Sequence, residues 1–261
     1  MSRFNCDSCG NEPTDRIPVM RIIDKVNGFF AKNDYEGAGR LLEYWEKEAR
    51  MLGDERGLAS ILSELVGYYR KVGNEDKGLK AIEEAVSLLE KDGLTDKLSG
   101  ATIYVNCATA LKSFGRAEES LELFYKALSV YESDPEIDDY LLASLFNNMA
   151  LTLEDVGDFS KSEEFFNRAI DCLKDNADYQ GEVAITYINL AELRYVVDET
   201  DPDTIRFIEK AISALKDPRN TFDGDFAYIL EKCVPSLEYF GYTNEAAYFK
   251  DIYEKIYESN R

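Results

Sequence analysis

The sequence predicts an all-α fold, a solenoid of paired antiparallel helices, and three observations carry that expectation. Ala85, Ala127, Ala169 and Ala211 fall at a fixed 42-residue interval, and a constant period of this length marks stacked supersecondary units. Gly73, Gly115 and Gly157 keep the same interval, each closing an apolar periodic stretch as a helix C-terminal glycine does. Before these turns, Leu62, Leu65, Val66 and Tyr69 are followed one period later by Tyr104, Cys107, Ala108 and Leu111, then by Phe146, Met149, Ala150 and Leu153. That spacing of i, i+3, i+4, i+7 places all four side chains on one helical face.

The elements follow in order. Residues 1–14 read as a tail and 15–31 as a first helix. Asp34, Tyr35, Glu36, Gly37 and Ala38 make its turn, with Leu42 and Trp45 on the seam of the returning helix. Further pairs are expected at about 57–93, 98–135, 139–176, 181–217 and 223–259, the first pair spanning about 15–52 and the whole forming one domain. In each second helix a small residue (Gly78, Ser120, Ser162 or Thr204) stands seven positions before the alanine, and Ile82, Phe124, Phe166 or Ile208 stands three before it. Small residues let two helices approach, and the large ones fill the seam. In the 181–217 pair the stretch Asp198–Asp203 replaces the glycine turn and is one residue longer, while Gly241, Ala246 and Phe249 outline the sixth pair.

The pattern aromatic, two residues, apolar, small, two residues, apolar, then small, three residues, large apolar, resembles the tetratricopeptide repeat. The resemblance covers about residues 15–259 and is strongest between 57 and 175. The family's usual unit is about 34 residues; the longer unit here is similar to that of kinesin light chain arrays, in which both helices are extended. The resemblance implies a right-handed superhelix of about six helix pairs, with the first helix of each pair lining a concave binding face.

Composition agrees with a binding scaffold. The chain has 261 residues, 45% of them hydrophobic and 31% charged, enough apolar content for a long core under an extensive surface. A net charge of −21 repels phosphate backbones and anionic membranes and favours neutral or basic partners. Nucleic-acid and membrane binding are therefore not expected. Nor is a signal peptide or a membrane span, since no apolar run approaches the length of one. There is no histidine, which removes the Ser-His-Asp and Cys-His arrangements and the HExxH metal helix. The Gly37-Ala38-Gly39 fragment lacks a preceding strand and a third glycine, so it is no dinucleotide loop. An enzyme is not expected.

Cys107, Cys172 and Cys233 fall within helices and read as small buried hydrophobes. Scattered spacing and an odd total of five do not make a disulfide framework, which points to a reducing, cytoplasmic setting. Cys6 and Cys9, in Phe4-Asn5-Cys6-Asp7-Ser8-Cys9-Gly10, resemble one half of a zinc knuckle. A second chain would have to complete such a site; otherwise no cofactor is implied.

The functional signal is polar. Asn106, Asn148 and Asn189 each stand just before an apolar-small pair, Cys107-Ala108, Met149-Ala150 or Leu190-Ala191. Asparagine is a mediocre helix former, so three in register call for a reason. They resemble the asparagine ladder of O-GlcNAc transferase and kinesin light chain arrays, in which amides grip the backbone of an extended peptide. Helices ~10 Å apart and a strand rise of ~3.3 Å per residue match the ladder to about every third ligand residue. Asn147, Ser144, Thr102, Val105 and Ile188 are expected to flank it. Arg70 and Lys112 share one column able to meet an acidic group, and Glu154 takes that column next. The column Asn27, Gly67, Thr109 departs from the lysine and asparagine positions of the family's carboxylate clamp. The expected function is an adaptor that holds a protein or peptide segment. Two alternatives stand beside it: a peptide-signal receptor acting through a separate effector, and a homo-oligomeric assembly, the latter suggested by Tyr248, Phe249, Ile252, Tyr253, Ile256 and Tyr257 on the final helix.

Overall fold

A computed structural model describes residues 16–259, so the tail bearing Cys6 and Cys9 lies outside the described residues. Among the described residues there are twelve α-helices and no strand: α1 Val19–Phe30, α2 Tyr35–Leu52, α3 Glu55–Lys71, α4 Glu75–Lys91, α5 Leu98–Ser113, α6 Ala117–Ser133, α7 Asp139–Asp155, α8 Phe159–Leu173, α9 Gln180–Val197, α10 Pro202–Leu215, α11 Gly224–Tyr239 and α12 Thr243–Ser259. This is an all-α solenoid fold of antiparallel pairs. Contacts divide it into two compact units, Met1–Tyr131 and Glu132–Arg261.

Local chemistry explains where the helices stop and start. Gly73, Gly115, Gly157 and Gly241 have φ of 69°, 76°, 81° and 85°, the left-handed region that glycine enters without a Cβ clash. After each one the next amide reaches back five residues, as Asn74 N–H does to Tyr69 O at 2.9 Å and Asp158 N–H to Leu153 O at 2.9 Å. This closes helix carbonyls that would otherwise be orphaned. Immediately beyond, Asn74 and Asp158 accept from the Lys77 and Lys161 amides with their side chains and so begin the next helix. Between α9 and α10 the turn has no glycine; Asp201 caps the amide of Asp203 at 2.8 Å, and Pro202 opens the helix.

In the first unit α1, α3 and α5 are the leading helices and α2, α4 and α6 the returning ones. Its core holds Ile22, Val26, Leu42, Leu62, Val66, Ala85, Tyr104, Phe124 and Ala127. A Cβ on Gly78 would meet the Phe114 ring at 2.7 Å, which is why that column needs a small residue. Ser120, in the same column, is buried and donates to Ala108 O at 2.8 Å. Asp54 ties Ile17, just before α1, to the α2–α3 turn, its carboxylate accepting from Ile17 N–H at 2.9 Å and Gly57 N–H at 3.0 Å.

The second unit repeats this logic with α7, α9 and α11 leading. Phe146, Met149, Phe166, Ala169, Leu190, Ile208, Ala211, Leu230 and Phe249 are buried. On α12, Phe249 and Ile256 are buried and Ile252 and Tyr253 pack against the core, while Tyr257 is half-buried and donates to Glu231 at 2.9 Å and Tyr248 is 54% exposed. No helix is long and apolar enough to cross a membrane among the described residues.

A candidate binding face on the leading helices

In the first unit the leading helices enclose a cleft of about 400 Å³. α1 contributes Asn27 and Phe30, α3 contributes Ser63, Glu64, Gly67, Arg70 and Lys71, and α5 contributes Asn106 and Thr109. Asn27, Gly67 and Thr109, one column in the sequence, thus share one cavity. Asn106 is half-buried, and its Nδ2 donates to Ser63 Oγ on α3 at 2.9 Å. Thr109 Oγ1 donates to Val105 O at 2.8 Å. Burial pushes the Glu64 carboxyl above the usual carboxylate range. Arg70 is exposed at the end of the cleft, and Lys71 holds its ammonium 5.1 Å from the Phe30 ring centre. Lys112 is half-buried and already engaged with another part of the protein, as is Glu154.

In the second unit the asparagines are not equivalent to one another. Asn148 is half-buried and donates to Ser144 O of its own helix at 3.0 Å. Asn189 is half-buried and makes no side-chain hydrogen bond among the described residues. Asn147 reaches α9, its Nδ2 2.8 Å from Thr186 Oγ1, and leaves its carbonyl oxygen buried without a partner. Ser144 is half-buried, as is Val105 in the first unit. Thr102, also in the first unit, is exposed and donates to Leu98 O at 3.1 Å. Ile188, expected to flank the groove, is instead 2% exposed in the core with Ala184, Ile208 and Phe226. Its position falls on the inward stripe of α9, where an apolar side chain gains more from burial than from facing solvent.

The returning helices differ in how their charges are used. Arg50 on α2 binds Glu84 on α4, Lys77 on α4 binds Glu43 on α2 at 3.2 Å, and Lys126 on α6 binds Glu90 on α4 at 3.8 Å. In the second unit Lys216, just past α10, meets Glu245 on α12 at 3.4 Å. Such exposed pairs add little stability each, and they answer some of the charges on these helices, while Glu83, Glu118 and Glu122 have no ion pair among the described residues. Glu64 and Asn189 on the leading helices are not answered in this way. Sequence reasoning missed Glu64, although it stands 42 residues before Asn106 and so occupies the ladder's own column.

Cys107 and Cys233 are fully buried thiols, pushed up to about 12 by that burial and so inert as nucleophiles. Cys172, on α8, is only half-buried. Among the described residues no group of three or more potential ligands is arranged to hold a metal.

The family model for tetratricopeptide repeats matches residues 57–133 and 101–175. Residues 57–175 of this chain therefore belong to the tetratricopeptide repeat family. No curated protein matches the sequence. Among solved structures the chain is similar to PilW, a widely conserved type IV pilus biogenesis factor, at 16% identity over 90% of this chain and 91% of that one, with a TM-score of 0.60. It is also similar to BtubC of P. vanneervenii, at 19% identity over 94% and 92% of the two chains with a TM-score of 0.53. A kinesin-light-chain-like repeat array of Podosopora anserina aligns at 12% identity over 77% and 95%, with a TM-score of 0.54. At these identities the likeness is one of fold. A repeat fold of this kind supports a role in protein–protein interaction.

Proposed function

We propose that this protein is a non-enzymatic, cytoplasmic adaptor that holds an extended segment of a neutral or basic partner protein along its leading helices. The observation that supports this reading is the set of half-buried asparagine amides on the leading helices of each unit. Asn106, Asn148 and Asn189 are half-buried amides with hydrogen-bonding capacity left over. An amide with a free acceptor or donor matches the backbone of an extended chain whatever its side chains are. The net charge of −21 favours a neutral or basic guest over nucleic acid or an anionic membrane. In the second unit Asp178, Glu182, Asp223 and Asp225 line one small cleft, which adds to that preference.

The test is the triple variant Asn106→Ala, Asn148→Ala, Asn189→Ala. Alanine is the better helix former by up to about 0.7 kcal/mol per site, which offsets the lost Asn106–Ser63 bond, worth about 1 kcal/mol. Circular dichroism is expected to be unchanged and retention of displayed peptides lost. Undiminished retention rejects the reading.

A further inference from the structure

The cleft between α1, α3 and α5 carries a more specific reading, which rests on the extended-segment proposal above. We infer that it is a side-chain pocket for a basic residue of the held segment, with Glu64 as the counter-ion.

Hydrogen-bond accounting leads to this chemistry. One of the two Asn106 amide N–H groups is spent on Ser63 Oγ and the Thr109 hydroxyl proton on Val105 O. Both residues still offer acceptors to the cleft, the Asn106 Oδ1 and the Thr109 Oγ1 lone pairs, beside the second N–H of the Asn106 amide. Glu64 adds a carboxylate, which is acceptor-only when ionised. It forms no ion pair or hydrogen bond among the described residues. The cations of the same cleft do not answer it. Arg70 lies six positions further along α3, about 9 Å in rise, and Lys71 is directed onto the Phe30 ring. A half-buried carboxylate without an ion pair, next to acceptors on Asn106 and Thr109, is matched by a cationic donor group, the ammonium of lysine or the guanidinium of arginine.

Gly67 is the second observation. It sits in the interior of α3, where glycine costs about 1 kcal/mol relative to alanine, and it lines the cleft beside Glu64. A Cβ built there meets no atom within 4 Å, whereas Gly78 and Gly181 are closely approached by neighbouring side chains. No packing among the described residues requires the glycine. It leaves the floor of the cleft bare, which lets a guest backbone come close enough for its side chain to reach Glu64.

Panning the full chain against displayed random decapeptides tests this with two variants, Glu64→Gln and Gly67→Leu. Glu64→Gln keeps the shape and removes one of 51 acidic residues, so non-specific attraction by the whole field survives in it. Wild-type protein is expected to retain peptides enriched in lysine or arginine at one position, and Glu64→Gln to retain peptides without that enrichment. For a selected peptide, replacing its lysine with N-acetyllysine is expected to weaken wild-type binding about tenfold or more and to leave Glu64→Gln unaffected. Gly67→Leu, with helicity checked, is expected to lose retention. Peptides with no basic preference, the same preference in Glu64→Gln, enrichment in acidic residues, or binding untouched by Gly67→Leu each overturn the pocket while leaving the adaptor reading in place. If wild-type protein retains no peptide at all, the adaptor reading fails and the pocket with it.

Discussion

Glu64 shows how far a residue can be read before the fold is known. A glutamate on a helix reads as solvated surface, and only the approach of α1 and α5 turns it into a desolvated acceptor. Its raised pKa has a testable sign. Between the ordinary carboxylate value and the raised one, the folded state holds a proton that the unfolded state has released, so stability falls as pH rises through that window. The other titratable groups lining the cleft are Arg70 and Lys71, and α1 and α5 add none. Glu64→Gln is therefore expected to be more stable than wild type in urea melts at pH 7, with the difference vanishing below the usual carboxylate range. Equal stability at both pH values contradicts the desolvation argument. The asparagines were legible as a column, but their partners were not. Ser63 lies 43 residues from Asn106 and Thr186 lies 39 from Asn147, and only stacked helices bring such distant side chains together.

At the scale of elements nearly everything local was readable, because each turn is written in residues with one physical use. The repeating glycines adopt the left-handed conformation their spacing implies, and the alanine and phenylalanine columns are buried where the helical period puts them. Gly157→Ala is expected to destabilise the α7–α8 hairpin by about 1–2 kcal/mol, the cost of a Cβ at positive φ. Phe166→Ala, emptying a fully buried site, is expected to cost about 3–5 kcal/mol. Both are measured by chemical denaturation, and a neutral result for either contradicts the assigned role. Ile188 marks the limit of such reading. Helix α9 buries residues on several sides, so periodicity does not say which of its apolar positions face a groove.

For the whole molecule, the charge balance and the absence of histidine set the expectation of a non-enzymatic binder, while the proposed chemistry of the partner rests on the cleft. With a net charge of −21, association with a basic segment is expected to slow on the order of tenfold or more as salt rises from about 0.05 M to about 0.5 M. A salt-independent on-rate, read by stopped-flow fluorescence, contradicts electrostatic steering. The first unit also has a cleft of about 520 Å³ between the returning helices α4 and α6, lined by Glu83, Val86 and Leu123 among others, so volume alone does not identify the face that binds. Site-specific photocrosslinking does. A benzophenone side chain placed at Thr109 on the leading face, compared with one placed at Glu83 on the returning face, reports directly which side meets the guest. The account predicts peptide adducts from position 109 and none from position 83; adducts from position 83 alone contradict it.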